Sequence, residues 1–264
     1  MNIPKTKSTM NKIYNFSGFL IGKVFRYRSE VVTQNLARSL PLSKYSELSY
    51  QYQRFYRNMS RIILEVLFPN RPQLIISSEM YRTLHQIHQQ QRNIILMLGH
   101  YGNWEILGKL PLHLDIPIQS LYKPVKNKWI NRLLLNRRQQ YGVQLLPADQ
   151  AAKKLLGSRS SPAITLFIAD QFPGKGNGLE IDFLSQSTHM FMGPERIARR
   201  IDAYVAYIEL RPIDTYKWKA YLHPISTHAA KSTVGQITRS FTRKLESSIL
   251  QDPTWWLWSH KRWK

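Results

Sequence analysis

The hydrophobic pattern of this chain switches repeatedly between a helical and an extended period. From Tyr45 onward, Leu48, Tyr52, Phe55, Tyr56, Met59, Ile62, Ile63 and Val66 recur at three- and four-residue steps, as one face of a long helix would. Ser43 stands where a helix cap is wanted, with Glu47 near capping-box spacing, and Pro69 and Pro72 close the region. Residues 11–67 as a whole read as helical; residues 1–10 are polar and are expected to be disordered. A further helix is predicted over 80–91. Ile94-Ile95-Leu96-Met97-Leu98 is instead an unbroken apolar run, the mark of a strand buried on both faces. Shorter or similar runs predict strands at 118–122, 143–146, 163–169, 203–210 and 218–222. Between them 104–110, 127–141, 150–156 and 194–201 read as helices, and 232–249 as a long closing helix. Pro111 should end the first of these, Gly142 sits at a C-cap position, and Pro194 suits a first turn. The alternation predicts an α/β fold: one domain over 11–264, with a largely parallel central sheet flanked by helices and a helical N-terminal region.

Charge narrows the partners. The 264 residues carry 38 Lys+Arg against 16 Asp+Glu, a formal charge of +22, so something anionic must be met: nucleic acid, an anionic membrane leaflet, or an acidic carrier or substrate. The densest basic stretch holds Lys123, Lys126, Lys128, Arg132, Arg137 and Arg138 with no acid between them. A hydrophobic content of 43% supports a packed core and excludes wholesale disorder. The absence of cysteine excludes disulfides, Cys-bound zinc, iron–sulfur clusters and cysteine nucleophiles. His85 and His88 have the spacing of two metal ligands but no companions, and no metal or cofactor is expected. No segment reaches the ~18–20 apolar residues that span a bilayer. Residues 16–25 are apolar but short and hold Lys23; they read either as an interfacial helix or as an amphipathic helix packed on the domain.

The chemistry concentrates in Leu98-Gly99-His100-Tyr101-Gly102-Asn103-Trp104-Glu105. Here a histidine leaves the carboxyl end of a buried strand, where open α/β sheets place ligands. Glu105, in the first turn of the following helix, is expected to reach back and hold the His100 imidazole, making it a general base for a substrate hydroxyl or amine. By spacing alone, H-x4-E does not distinguish such a base from a structural histidine. Asp170 follows another buried strand and reads as a residue that positions Arg138 or the acceptor, or as a turn-former before Pro173-Gly174. Arg138 and Lys123 are candidates for anionic groups on a substrate. Asn103 is a candidate for substrate binding or for a bond to the turn backbone.

The stretch LGHYGNWE resembles the H-x4-D/E block of the lysophospholipid acyltransferase group, and within it the late acyltransferases of lipid A biosynthesis, where the block commonly reads HFGNWE. The resemblance runs on in order. Tyr27-Arg28-Ser29-Glu30-Val31-Val32 with Asn35-Leu36 and Ser39-Leu40-Pro41 is similar to the family's N-terminal segment, and Phe55-Tyr56-Arg57-Asn58 followed by Glu65 continues it. Tyr122-Lys123-Pro124 with Arg138, Ala169-Asp170-Gln171, Gly193-Pro194-Glu195-Arg196, and Trp255-Trp256-Leu257-Trp258-Ser259-His260-Lys261-Arg262-Trp263 resemble the later blocks. Two departures stand out. The N-terminal apolar stretch is shorter than the family's membrane anchor, and Thr188-His189-Met190-Phe191-Met192 replaces a smaller Thr/Pro-containing loop.

The resemblance implies acyl transfer from a thioester, acyl-acyl carrier protein or acyl-CoA, to a hydroxyl of a lipid acceptor. It implies His100 as general base, Glu105 as its orienting partner, and Asn103, Lys123, Arg138, Asp170 and Gln171 as substrate-binding residues. A lipid A precursor leads as acceptor; another lyso-lipid, an aminolipid or a specialised metabolite is the alternative. The implied location is the cytoplasmic face of a bacterial inner membrane, peripheral or interfacial. Two other classes compete. A catalytically silent lipid- or carrier-binding protein would not need both His100 and Glu105. A nucleic-acid binder would account for the charge but for neither the His100 turn nor the ordered blocks.

Overall fold

A computed structural model describes residues 3–122, 124–125, 127–157, 161–174 and 176–263. Three helices open the chain: α1 (Ile3–Phe19), continued by a π-helical turn over Leu20–Val24, then α2 (Ser29–Ser39) and α3 (Tyr45–Leu67). Helix α1 thus begins well inside the segment expected to be disordered. The remainder runs β1 (Gln73–Ile75), α4 (Ser78–Gln89), β2 (Ile94–Leu98), a 3-10 segment (Trp104–Leu112), β3 (Ile118–Tyr122), α5 (Lys128–Gln139), β4 (Gln144–Pro147), α6 (Ala151–Gly157), β5 (Ile164–Ile168), β6 (Leu179–Phe183), β7 (Gln186–Met190), α7 (Gly193–Ile201), β8 (Tyr204–Asp214), β9 (Lys217–Ser226) and α8 (Gln236–Gln251).

Seven strands form one sheet in the order β1-β9-β8-β2-β5-β3-β4. Every neighbouring pair is parallel except β8 and β9, which form an antiparallel ribbon. The apolar runs occupy its centre: all five residues of β2 are buried, as are the first four of β5 and the first seven of β8. The α/β architecture, its largely parallel sheet and the helical N-terminal region therefore stand as the pattern predicted. Pro111 does not end the 104–112 segment; it lies inside a 3-10 stretch, whose looser hydrogen bonding tolerates the missing N–H. The α3 cap falls one residue later than Ser43: the Lys44 backbone N–H donates to Glu47 Oε2 at 3.0 Å.

Two features of α3 depart from a simple buried stripe. Tyr45 is 88% exposed, and Met59, Ile63 and Val66 line an apolar cavity, Met59 also packing against the core. Meanwhile Arg61 and Glu65, one turn apart on α3, are buried and paired at 2.7 Å. The β6–β7 hairpin, unforeseen in the pattern, forms a separate two-stranded sheet. Its turn residues Leu184 and Ser185 both have positive φ, 51° and 60°, which hairpin turns of this hand normally fill with Asn and Gly.

Candidate active site

The sheet register builds the site. Leu98 of β2 pairs with Ile168 of β5. Two residues farther along each parallel strand, His100 and Asp170 emerge side by side at the carboxyl edge. Asp170 Oδ1 lies 2.7 Å from His100 Nδ1, and its Oδ2 accepts the His100 backbone N–H at 2.8 Å. Gly99 allows this approach: a Cβ there would lie 2.7 Å from Leu245 Cδ1 and 3.2 Å from Asp170 Oδ2. Gly102 completes the turn at φ +67°, against the Leu210 carbonyl.

Burial works to raise the Asp170 pKa, but the His100 charge and hydrogen bonds and the Trp256 indole N–H outweigh it, holding the carboxyl down to about 2. An ionised carboxylate only accepts, so in the neutral ring the proton sits on Nδ1 and Nε2 is left with its lone pair. The ring is further fixed edge-on against Trp104, 4.8 Å between centroids.

Glu105 is not the partner of this imidazole. Its carboxylate accepts two bonds from Arg138, Nε to Oε2 at 2.8 Å and Nη2 to Oε1 at 2.6 Å, and a third from Trp104 Nε1 at 3.0 Å. The expected His100–Glu105 contact is thus replaced by two adjacent pairs, His100–Asp170 and Glu105–Arg138. The reason is topological: β5 lies beside β2 in the sheet and offers a carboxylate closer to Nδ1, while α5 presents a bidentate guanidinium to Glu105. Arg138 consequently holds Glu105 rather than being positioned by Asp170. Burial disfavours its charge, but the Glu105 bonds and charge raise its pKa on balance.

Asn103, 2% exposed, points its amide into the scaffold. Its Nδ2 donates to Glu65 Oε2 at 2.7 Å, and Trp218 Nε1 donates to the same oxygen at 2.7 Å. Arg61 closes this knot from α3 and stacks over Trp218 at 4.7 Å. Burial pushes the Glu65 pKa up, against Arg61, Asn103 and Trp218. Gln171 is exposed beside Asp170. Lys123 lies outside the described residues. In the sequence Glu65 stands as an acid within the apolar run Ile62-Ile63-Leu64-Glu65-Val66-Leu67 and as part of the N-terminal family resemblance; its bonds to Asn103 and Trp218 have no local signature.

Beside these pairs opens a cavity of about 760 Å3, a size typical of small-ligand sites. Its walls are almost wholly apolar, with Ile21, Met59, Ile63, Val66, Leu133 and Leu134 among them. Trp104, Glu105, Trp256 and His260 bring polar edges to it. His260 has its pKa lowered, first by burial, with Asp170 opposing and the His100, Arg262 and Arg28 charges adding.

The description of the family model that matches residues 5–264 is "Bacterial lipid A biosynthesis acyltransferase". The chain belongs to that family. Among curated lipid A acyltransferase relatives, the "Lipid A biosynthesis acyltransferase" of Haemophilus influenzae is 23% identical over 180 residues, 66% of this chain and 55% of the relative. The "Phosphatidylinositol mannoside acyltransferase" of Mycolicibacterium smegmatis is 21% identical over 179 residues, 65% of this chain and 57% of the relative. The matched part of this lipid A acyltransferase family member therefore spans a little over half the length of either relative.

Proposed function

We propose that this chain transfers a fatty acyl group from a thioester to a hydroxyl of a lipid acceptor, a lipid A precursor first among the acceptors. The observation that carries the reading is an Asp-held histidine whose pair is contacted by Trp104 and Trp256, both of which line an apolar cavity large enough for an acyl chain. His100 Nε2 takes the proton of the acceptor hydroxyl as its oxygen attacks the thioester carbonyl carbon. Asp170 holds the tautomer and stabilises the imidazolium that forms. The tetrahedral intermediate collapses, the C–S bond breaks, and the departing thiolate takes the proton from His100.

The developing oxyanion needs donors. Within the His100 turn, the His100 N–H is already given to Asp170 and the Gly102 N–H to the Trp255 carbonyl. Arg138 is a further candidate donor, since its guanidinium keeps N–H groups beyond the two given to Glu105. Glu105 then fixes Arg138 beside the thioester, a task different from the one its spacing suggested. Gln171 and Lys123 remain candidates for the acceptor's polar part. The donor is acyl-acyl carrier protein or acyl-CoA, and the net charge of +22 suits either acidic donor and the anionic inner leaflet.

The test is acyl transfer by purified protein, with each donor supplied separately and membrane lipid extract as acceptor. Wild type should form a labelled acyl lipid, and His100→Ala and Glu105→Ala should lose it. Transfer that survives His100→Ala would show that His100 is not the base. Binding of lipid without transfer by wild type would favour a silent binder.

A further inference from the structure

We propose that Trp256 is a positioning residue for catalysis, fixing Asp170 against His100 through its indole N–H; this rests on the reading of His100 as base. Asp170 Oδ2 accepts two bonds: one from the His100 backbone at 2.8 Å, the other from Trp256 Nε1 at 2.9 Å. Its Oδ1 accepts from His100 Nδ1. Among the described residues, every other hydrogen bond to this carboxylate thus comes from the residue it must orient. Trp256 supplies the one fulcrum outside His100 itself.

The indole is built to do this. Trp256 is 2% exposed and is held edge-on by Phe183 at 5.6 Å and Trp258 at 4.8 Å. Its backbone forms a β-bridge with Tyr101, flanked by Gly102 N–H to the Trp255 carbonyl at 3.1 Å and Leu257 N–H to the His100 carbonyl at 3.0 Å. The segment carrying Trp256 is therefore sewn to the very turn that carries His100. Trp258 makes a useful contrast: it is equally buried, but its indole N–H goes to the Pro253 carbonyl, within its own segment.

Removing the Trp256 N–H makes Asp170 a stronger acceptor for the Nδ1 proton while leaving its orientation looser. In the full chain, Trp256→Phe should lower kcat about ten-fold while leaving KM for donor and acceptor within about two-fold. The acid limb of the kcat/KM profile should move to higher pH, and the downfield NMR signal of the His100 Nδ1 proton should move farther downfield. Because Phe is smaller, benzothienylalanine at position 256, with the indole's shape and no N–H, should reproduce all three effects. Trp258→Phe should reproduce neither the pH shift nor the NMR shift. Equal kcat losses in the Trp256 and Trp258 variants, with an unmoved acid limb and Nδ1 signal, would reduce Trp256 to packing and overturn the proposal. If wild type transferred no acyl group, the catalytic reading would fail, while the Nδ1 signal would still decide the Trp256 contact.

Discussion

At the residue scale, a buried carboxylate next to an imidazole has consequences for both rate and stability. Asp170→Asn would present an amide to Nδ1, where the wild type has only acceptors, and would drive the imidazole proton to Nε2, the atom proposed as base. Single-turnover acyl transfer should fall by about 10²–10⁴-fold with little change in lipid binding. The same residue sets a pH window. Its folded-state pKa of about 2 lies below the ordinary 3.8. Its stabilisation is therefore complete above about pH 4 and is lost as pH falls toward 2, roughly 2 kcal/mol in all. Acid unfolding followed by circular dichroism should show this loss in wild type and a flatter profile between pH 4 and 2 in Asp170→Asn. His100 and Asp170 were each legible in the sequence, as residues just beyond apolar strand runs. Their partnership was not, because no local pattern reveals that β5 lies beside β2. The H-x4-E spacing drew attention to Glu105, whose true neighbour Arg138 lies 33 residues farther on.

At the element scale, strands written as apolar runs were legible, with 118–122 coinciding with β3, but the β8–β9 ribbon continues four residues past each expected end, to Asp214 and Ser226. What escaped were elements without a local signature. Strand β1 has three residues, and the β6–β7 hairpin turns through Leu184-Ser185, neither a customary residue for positive φ. The hairpin persists because tertiary contacts hold it: Phe183 and Leu184 are buried, and fully buried Arg262 donates to Thr188 Oγ1 at 2.6 Å and the His189 carbonyl at 2.9 Å. Ser185 is exposed, so Ser185→Gly should relieve the strained conformation without disturbing packing. A gain of about 0.5–1 kcal/mol in thermal unfolding is expected; a loss would mean that Ser185 makes a contribution its geometry does not reveal. Glu195 shows the same dependence on tertiary structure. It reads as a first-turn acid of its own helix, yet its carboxylate accepts the Gly235 and Thr238 N–H groups and so caps α8 from outside.

At the scale of the whole molecule, the cavity is flanked by exposed apolar residues from two distant parts of the chain. Phe25, 74% exposed, and Ile130, 49% exposed, both line it; Phe16 and Phe19 on α1 and Trp129 beside Ile130 on α5 are exposed as well. Among the described residues no helix is long and apolar enough to cross a membrane. Lys23 in the π-helical turn, Arg26 and Arg28 in the connection to α2, and Lys128 and Arg132 on α5 add the charge that an anionic leaflet attracts. Flotation should therefore carry the protein with anionic vesicles and leave most of it behind with zwitterionic ones. High salt should weaken that association, and Phe25→Ser with Trp129→Ser should weaken it further at low salt. Equal flotation on both vesicle types would argue against an electrostatic contribution.

The stitching of residues 254–262 into earlier parts of the fold also orders events in time. Asn35 on α2 donates to the Trp258 and His260 carbonyls across 223 and 225 residues, Arg28 to the Ser259 carbonyl across 231, and Asn58 to Thr254 across 196. Such distant closures are the slow part of folding. A ribosome that has delivered both β2 and β5 has made His100 and Asp170, but not the indole that steadies them or the wall that closes the cavity. The growing polypeptide can thus pair β2 with β5 early and, on the proposed mechanism, still lack the Trp256 contact to Asp170 until residue 256 has cleared the exit tunnel.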